Sequence, residues 1–454
     1  MSKKNSERKP HLLIIAFSMG LFIGINFSII AGANEPAHKY LDYFHQVFQL
    51  VTTEFVDEPE NKNLFYGAIR GMLNSLNDPY TRFLDEDASS ELQEMTTGKF
   101  VGIGVEVTIR DGDLIVVTPI ENSPAMKEGI EAGDIITKVN GEPVRDSEFS
   151  EIIKKIKGLP GTKVNISIRR ENIDEEITYA IERAPIKIDS VEYSIIKEHN
   201  YGYLKIKTFG AETSTDVKHA LQYFKKNRID SLIVDLRYNP GGLLSAAIEI
   251  SDYFLDKDLV IVSTKGRSGK EAESVFKSKA PVFFSGKTVV LVNKGSASAS
   301  EILSGALRDN KRAELIGEKT FGKASVQKTF GLDKNVNVAI TIAKYYTPSG
   351  ELIHKKGIAP DIEIKYFDIP ESDNEGLKSI GKGRLLAEFV DSRTEYSGET
   401  RDRFKKILEE NNIKISSKTA DYILKREIGK YHKSLPYDLE FDNQLITAVE
   451  KLKK

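Results

Sequence analysis

Two short, almost uninterrupted apolar runs place the tightest limit on the fold of this 454-residue chain. Leu232–Leu236 and Thr288–Val292 are each the length of one strand, and a polar, glycine-containing turn and a helical pattern follow each of them. Apolar residues without polar alternation are typical of a strand that is buried on both faces. We therefore predict a parallel or mixed sheet covered by helices between Tyr201 and Ile364, with further strands at Leu315-Ile316 and Asn337–Ala343.

Between residues 96 and 184 the pattern changes to short β-type runs separated by glycine turns. A Gly-x-Gly loop opens this region, and residues 147–157 have helical periodicity. The order of these elements resembles a PDZ domain. The resemblance implies that a peptide binds by strand addition and that the N–H groups of Ile103, Gly104 and Val105 receive its terminal carboxylate. An ordinary small β-domain with a tight turn is the alternative.

The N-terminus has the pattern of an export signal. Basic residues precede an uncharged, mostly apolar run from Leu12 to Ile30, which ends in Ala31-Gly32-Ala33. The run is also nearly long enough to be an uncleaved membrane anchor. In both cases we expect the body to be exported to a periplasmic or extracytoplasmic location, anchored to the inner membrane if the segment is kept. Two predicted helices follow, Lys39–Val56 and Leu64–Leu76, which could cover the body or pair with another copy of the chain.

Composition excludes several classes of function. The formal net charge is −2 and no arginine-rich stripe is present, which argues against nucleic acid as the main partner. The chain has no cysteine, so disulfides, thiolate catalysis and Cys-ligated metals are excluded. We expect neither a metal nor a cofactor. Beyond Phe367 the chain becomes polar and helical, and we interpret this tail as accessory helices.

The segment Gly295–Glu301 lies between a predicted buried strand and a predicted helix. A serine at such a junction can present its hydroxyl where unpaired N–H groups and the helix dipole favour developing negative charge. Ser298 is the candidate nucleophile of this segment. Serines at helix starts are usually only caps, and we expect that simpler role for Ser296 and Ser300.

A serine nucleophile needs a base. None of the seven histidines forms an obvious Ser-His-Asp pattern, and His354 lies among lysines in a predicted loop. A lysine can be the base when it is held neutral, and Lys323 lies in the glycine-rich stretch Gly317–Gln327. Part of that stretch also fits a P-loop. However, Ala324 stands where the magnesium-binding Ser or Thr would be required, which argues against a nucleotide site.

Five blocks together resemble the signature segments of carboxyl-terminal processing (tail-specific) proteases. They are Asp78–Leu84, Leu236–Gly242, Gly295–Glu301, Gly317–Gln327 and Thr347–Gly350, in that order. The resemblance implies Ser298 as nucleophile, Lys323 as general base and Gln327 as the group that orients the lysine. Gln327 would lie on the same side as Lys323 if the segment is helical.

The resemblance also implies an oxyanion hole and a sensor of the peptide end. The hole would be formed by the N–H of Ala299 and one N–H from Gly241 or Gly242, because glycine lets the backbone approach the tetrahedral intermediate. In this family an arginine of the PDZ domain often senses the peptide end. Arg169 or Arg170 could have that role, and a solvent-facing arginine at a strand end is the equal alternative.

The predicted fold is multidomain α/β, with a PDZ β-domain before a ClpP/crotonase-like protease core and helical segments at both termini. The predicted divisions are 1–33 signal or anchor, 34–95 helical region, 96–184 PDZ domain, 185–366 protease core and 367–454 helical region. The predicted function is an exported serine endopeptidase that recognises the exposed C-terminal tails of protein substrates. An adaptor or activator protein, and membrane association through the N-terminal segment, are compatible with it. A peptide-capturing scaffold and acyl-CoA chemistry on a related fold are the competing hypotheses.

Overall fold

A computed structural model describes residues 35–110, 112–120, 123–131, 133–145, 147–170, 173, 175–187, 189–267, 273–382, 385–390, 394–429 and 435–453. The predicted signal or anchor, residues 1–33, lies outside these ranges. No helix within the described ranges is long and apolar enough to cross a membrane. The chain divides into two compact units, with the boundary between Phe83 and Leu84.

The first unit contains the two helices predicted after the N-terminal segment, α1 (Glu35–Glu54) and α2 (Asn61–Asn74). The rings of Phe48 on α1 and Phe65 on α2 stack with their centroids 4.5 Å apart. Phe48 is one of the apolar residues whose helical spacing predicted the first helix. A short strand, β1 (Arg82–Leu84), follows α2.

The second unit begins with α3 (Glu86–Thr97), followed by a small β-domain. Its elements are β2 (Lys99–Gly102), β3 (Val105–Arg110), β4 (Asp113–Pro119), α4 (Pro124–Glu128), β5 (Ile135–Val139), β6 (Glu142–Pro143), α5 (Phe149–Ile156), β7 (Lys163–Arg169), β8 (Ile177–Glu182) and β9 (Ala184–Lys187). The main sheet has the antiparallel order β3-β4-β5-β7-β8, and alternate apolar residues fill its core. The β-type runs predicted between residues 96 and 184 are present as these strands, and the helical stretch predicted over residues 147–157 is confirmed as α5.

The larger α/β core is built on a six-stranded sheet of order β10-β11-β12-β15-β16-β19. Its strands are β10 (Val191–Ile196), β11 (Tyr201–Ile206), β12 (Ser231–Asp235), β15 (Lys287–Val292), β16 (Glu314–Gly317) and β19 (Ile362–Glu363), and all neighbours but the first pair are parallel. Every residue of β12 is buried, as its unbroken apolar run predicted. Helices α6 (Thr213–Lys226), α7 (Leu244–Asp252) and α8 (Ala299–Asp309) pack on one face.

A second sheet contains β13 (Val260–Gly266), β14 (Ser274–Lys277), β17 (Ser325–Asp333) and β18 (Val336–Tyr346). The run Asn337–Ala343, predicted as a further strand of the same parallel or mixed sheet as Leu232–Leu236, lies in β18 of the second sheet, which pairs antiparallel with β13 and β17. That prediction was wrong about the sheet. The physical reason is the short connection between β17 and β18, which allows an antiparallel hairpin but is too short for the crossover that parallel strands need.

The C-terminal region does not consist only of accessory helices. Helices α9 (Asn374–Lys382), α10 (Leu385–Phe389), α11 (Gly398–Glu410) and α12 (Ser417–Ile428) share a cluster of their own. The last helix, α13 (Asn443–Lys453), instead packs Leu445, Ala448 and Val449 against the free face of the parallel sheet. A sheet buried on both faces needs such a cover, so α13 belongs to the core.

Candidate active site

Ser298 is the residue immediately before α8, at the turn that follows β15. Its backbone has φ 56° and ψ −113°, a combination that residues other than glycine rarely adopt. Such strain persists only where the surrounding structure fixes it, and it is concentrated at functional sites. The half-buried Ser298 thus lies in a strained backbone conformation at a sharp strand-to-helix turn, as expected for a functional residue.

The two neighbouring serines have buried hydroxyls that hold the loop in place. Ser296 Oγ donates to the carbonyl of Leu236 at 2.8 Å, and Ser300 Oγ donates to the carbonyl of Asn239 at 2.9 Å. Both acceptors belong to the segment that follows β12. The two hydroxyls therefore bind the serine loop (residues 295–301) to the glycine turn (residues 236–242). Ser298 is left as the candidate nucleophile.

The glycine turn approaches Ser298 closely. Gly241 has φ 102°, and a Cβ at this position would lie 2.7 Å from the carbonyl oxygen of Ala297 and 2.8 Å from Ser298 Cβ. Any side chain would clash there, so the close approach requires glycine. The Gly241 N–H donates to Asn239 Oδ1 at 2.8 Å. Neither the Gly242 N–H nor the Ala299 N–H makes a hydrogen bond to a described residue.

Buried ion pairs also hold the glycine turn in place. Arg237 is 7% exposed, and its guanidinium lies 2.6 Å from Asp235 and 2.7 Å from Asp442. Burial by itself would raise the pKa of Asp235, but the charge and hydrogen bonds of Arg237 outweigh it and lower that pKa below its usual value. Asp442 immediately precedes α13. The C-terminal region therefore helps to hold the turn that approaches Ser298.

Lys323 lies in the turn between β16 and β17, which we call the lysine turn (residues 318–324). The buried carboxylate of Glu301 connects this turn to the serine loop. Glu301 Oε2 accepts the backbone N–H of Ser298 at 2.9 Å and that of Lys323 at 2.8 Å. Glu301 Oε1 accepts the Thr320 hydroxyl at 2.6 Å and the Gly322 N–H at 2.8 Å. One carboxylate thus fixes the backbones of the predicted nucleophile and the predicted base.

Burial raises the pKa of Glu301 above its usual value, and these four hydrogen bonds oppose the rise. Sequence reasoning quoted Glu301 only as part of a motif. The signal that could have identified it is the spacing Ser-x-x-Glu at a helix start, which is typical of a capping box.

Gln327 lies in β17 rather than on a helix, so the helical spacing proposed for Lys323 and Gln327 was wrong. The segment is extended because it pairs with β18, with a bulge between Val326 and Gln327. Gln327 Nε2 donates to Ser325 Oγ at 2.9 Å and to Thr341 Oγ1 at 3.3 Å. Near the same turn, Nδ1 of the half-buried His354 accepts the Ala324 N–H at 3.4 Å.

The β-domain has a groove with a cavity of about 470 Å³. Ile103, Gly104 and Val105, the predicted peptide-binding residues, all line it. Gly104 has φ 76°, and a Cβ there would lie 2.4 Å from Ser123 Cβ, so the loop requires glycine. The structure therefore brings these three predicted residues together at one concave surface.

A lysine that sequence reasoning missed also lines this groove. The Lys157 side chain passes beside Gly102, and its ammonium lies 2.5 Å from Glu94 of α3, which also lines the groove. Arg169 does not line the groove; its guanidinium lies 3.6 Å from Asp113. Arg170 binds Asp134 at 2.7 Å. Lys157 is one of 65 Lys and Arg residues, and only its position after α5 could have singled it out.

Within the described ranges, no group of three or more metal-ligating side chains is present.

Comparison with known protein families agrees with this architecture. Residues 200–364 match the model of peptidase family S41, residues 115–170 match a PDZ domain, and residues 29–88 match the N-terminal domain of the activating protease CtpB. The fold and the site thus define a serine-type peptidase that carries a PDZ domain.

Two curated relatives and one solved structure are similar over most of the chain. The carboxy-terminal-processing protease of Bartonella bacilliformis is 34% identical over 400 residues, 83% of this chain and 91% of that protein. The carboxy-terminal processing protease CtpA of Bacillus subtilis is 36% identical over 373 residues, 81% of this chain and 79% of that protein. The photosystem II D1 C-terminal processing protease has 30% identity and a TM-score of 0.44, over 73% of this chain and 90% of that one. The chain belongs to the carboxyl-terminal processing proteases of family S41.

Proposed function

We propose that this chain is an exported serine endopeptidase that captures the C-terminal tails of protein substrates in its PDZ groove and cleaves them with a Ser298–Lys323 dyad. The observation that carries the proposal is the Glu301 carboxylate, which binds the backbone N–H groups of Ser298 and Lys323 at 2.9 and 2.8 Å. The capping box of α8 accounts for the contact of Glu301 with Ser298, and the contact with Lys323 joins a second loop to the same carboxylate.

In the proposed mechanism, neutral Lys323 takes the proton from the Ser298 hydroxyl as Oγ attacks the scissile carbonyl carbon. The tetrahedral intermediate collapses as the lysine returns the proton to the leaving amine, which gives an acyl-enzyme. Lys323 then deprotonates a water that hydrolyses the ester and restores Ser298. Gln327 supports the lysine turn from β17 in this proposal.

The hydrogen bonds of the glycine turn favour one of the two candidate oxyanion donors. The Gly241 N–H is already bound to Asn239, whereas the N–H groups of Gly242 and Ala299 make no hydrogen bond to a described residue. We assign the oxyanion hole to the pair that is not committed, Gly242 and Ala299, because a preorganised donor stabilises developing charge best when it has no competing acceptor. The role of Gly241 is to let the glycine turn approach Ser298 closely.

Tail recognition is assigned to the loop that contains Ile103, Gly104 and Val105, together with Lys157. A peptide that adds to β3 would direct its terminal carboxylate toward the N–H groups of that loop. Lys157 lines the same groove, and its ammonium can pair with the carboxylate in place of Glu94. A free C-terminus is therefore the proposed recognition element.

The test compares one unfolded protein substrate with an apolar C-terminus in two forms, with the terminal carboxylate free or amidated. We expect wild-type protein to cleave the free form faster and Ser298→Ala to cleave neither. Replacing Lys157 by methionine should weaken tail binding about tenfold, which corresponds to about 1.4 kcal/mol. Lys155→Met is the matched control, since Lys155 lies two residues away and pairs with Glu142 instead.

If wild-type protein leaves both forms intact, as Ser298→Ala does, the protease proposal fails. If both forms are cleaved equally well, only the tail-recognition part is wrong. Export is supported by the basic, apolar and small-residue pattern of residues 1–33. N-terminal sequencing of the protein from fractionated cells tests it, and an intact N-terminus in the cytoplasmic fraction would contradict it. An activator protein and association with a second copy stay predictions.

A further inference from the structure

We propose that Tyr345 is a positioning residue of the dyad, an inference that rests on the proposed function of Ser298 and Lys323. Tyr345 is on β18 and only 1% of its surface is exposed. Its hydroxyl lies 3.0 Å from the carbonyl oxygen of Ser298 and also hydrogen-bonds the carbonyl oxygen of Lys323. One phenol group thus contacts the backbones of both proposed catalytic residues.

The contacts of Tyr345 complement those of Glu301. Glu301 accepts the backbone N–H groups of Ser298 and Lys323, whereas Tyr345 contacts the carbonyl groups of the same two residues. The two side chains come from different elements, α8 and β18. The phenol has one proton, which the two carbonyl groups share, so Glu301 and Tyr345 together contact both peptide groups of each proposed catalytic residue. Contacts of this kind help to fix a reacting side chain.

Backbone hydrogen bonds add to the contacts of the Tyr345 hydroxyl on both sides of the proposed dyad. The Ser298 carbonyl also accepts the N–H groups of Glu301 and Ile302 in the first turn of α8. The backbone of β18 adds a further tie, because the Tyr345 N–H donates to the carbonyl of Ala324, the residue after Lys323, at 3.0 Å.

The hydroxyl can be separated from the ring. The Tyr345 ring is part of the hydrophobic core, and Tyr345→Phe keeps that packing and removes only the hydroxyl. Tyr346→Phe is the matched control, because Tyr346 is the next residue on the same strand and its ring lies 5.0 Å from the Lys265 ammonium. Successive side chains of a strand point to opposite faces, so the control changes the same chemical group away from the dyad.

The experiment uses the full chain and measures kcat, KM, tail-peptide binding, melting temperature and the rate at which a fluorophosphonate labels Ser298. We expect Tyr345→Phe to lower kcat and the labelling rate by about tenfold, the equivalent of one hydrogen bond. KM and tail binding should stay within about twofold, since the loss is confined to the chemical step. Tyr346→Phe should match the wild type. Placing 4-aminophenylalanine at position 345 restores a donor and should recover activity.

The proposal is overturned if Tyr345→Phe has wild-type kcat, or if its kcat falls only together with a lower melting temperature and is not recovered by 4-aminophenylalanine. If Tyr345→Phe does not fold, the 4-aminophenylalanine variant decides: wild-type kcat supports the proposal, and a tenfold loss in a folded protein contradicts it. A wild-type protein as inactive as Ser298→Ala would instead refute the proposed function itself.

Discussion

Lys323→Met is expected to lower kcat/KM by about 10,000-fold or more while leaving the fold intact, because it removes the proposed base but keeps an unbranched side chain of similar length. The backbone N–H that binds Glu301 is unchanged by this substitution. Lys323→Arg should be equally inactive, since a guanidinium cannot be deprotonated in a protein. Peptide hydrolysis and fluorophosphonate labelling of Ser298 are the measurements.

Lys319→Met is the matched control, an exposed lysine in the same turn that should keep wild-type activity. Retention of more than about 1% of activity in Lys323→Met, with Ser298→Ala inactive, would show that another group is the base. His354 would then be the next candidate, because its imidazole lies against Ala324. A histidine base would also give a different pH profile, with activity lost as pH falls through an imidazole pKa.

Glu301→Gln is expected to lower kcat by about 100-fold, because an amide has one acceptor oxygen where the carboxylate has two. In one orientation its NH₂ group faces the backbone N–H groups of Ser298 and Lys323, and in the other it faces the N–H of Gly322, so at least one backbone donor lacks an acceptor. The backbone N–H groups of Ser298 and Lys323 share one oxygen, so the serine loop or the lysine turn must move. Glu318→Gln, in the same turn and paired with Lys294, is the control and should have little effect.

The pKa of Glu301 gives the sign of a pH effect. Burial raises this pKa, so protonation begins at a higher pH than for an ordinary glutamate, and a protonated carboxyl cannot accept all four hydrogen bonds. We therefore expect kcat to fall as pH falls through the raised pKa. The contribution to folding stability has the opposite sign: it is fully present below the unfolded-state pKa and is lost as pH rises through the folded one. An acid limb that is unchanged in Glu301→Gln would contradict this assignment.

The elements with a strong apolar pattern were predictable from the sequence. The hydrogen bonds and ion pairs between loops that are distant in sequence were not. The buried strands β12 and β15 were evident from unbroken apolar runs, and the block order indicated the family. The spacing of Gln327 from Lys323 would place both on one side only if the segment were helical, and pairing with β18 makes it a strand instead. Glu301 and Lys157 were missed because each acquires its significance only from partners distant in sequence.

The ion pairs of Arg237 link the last part of the chain to the glycine turn. A chain cut before Asp442 would lose the carboxylate that lies 2.7 Å from the guanidinium of Arg237, together with helix α13. An uncompensated charge in that interior would favour rearrangement of the segment that leads into Gly241 and Gly242. The segment from Asp442 through helix α13 therefore helps to keep the glycine turn in place beside Ser298.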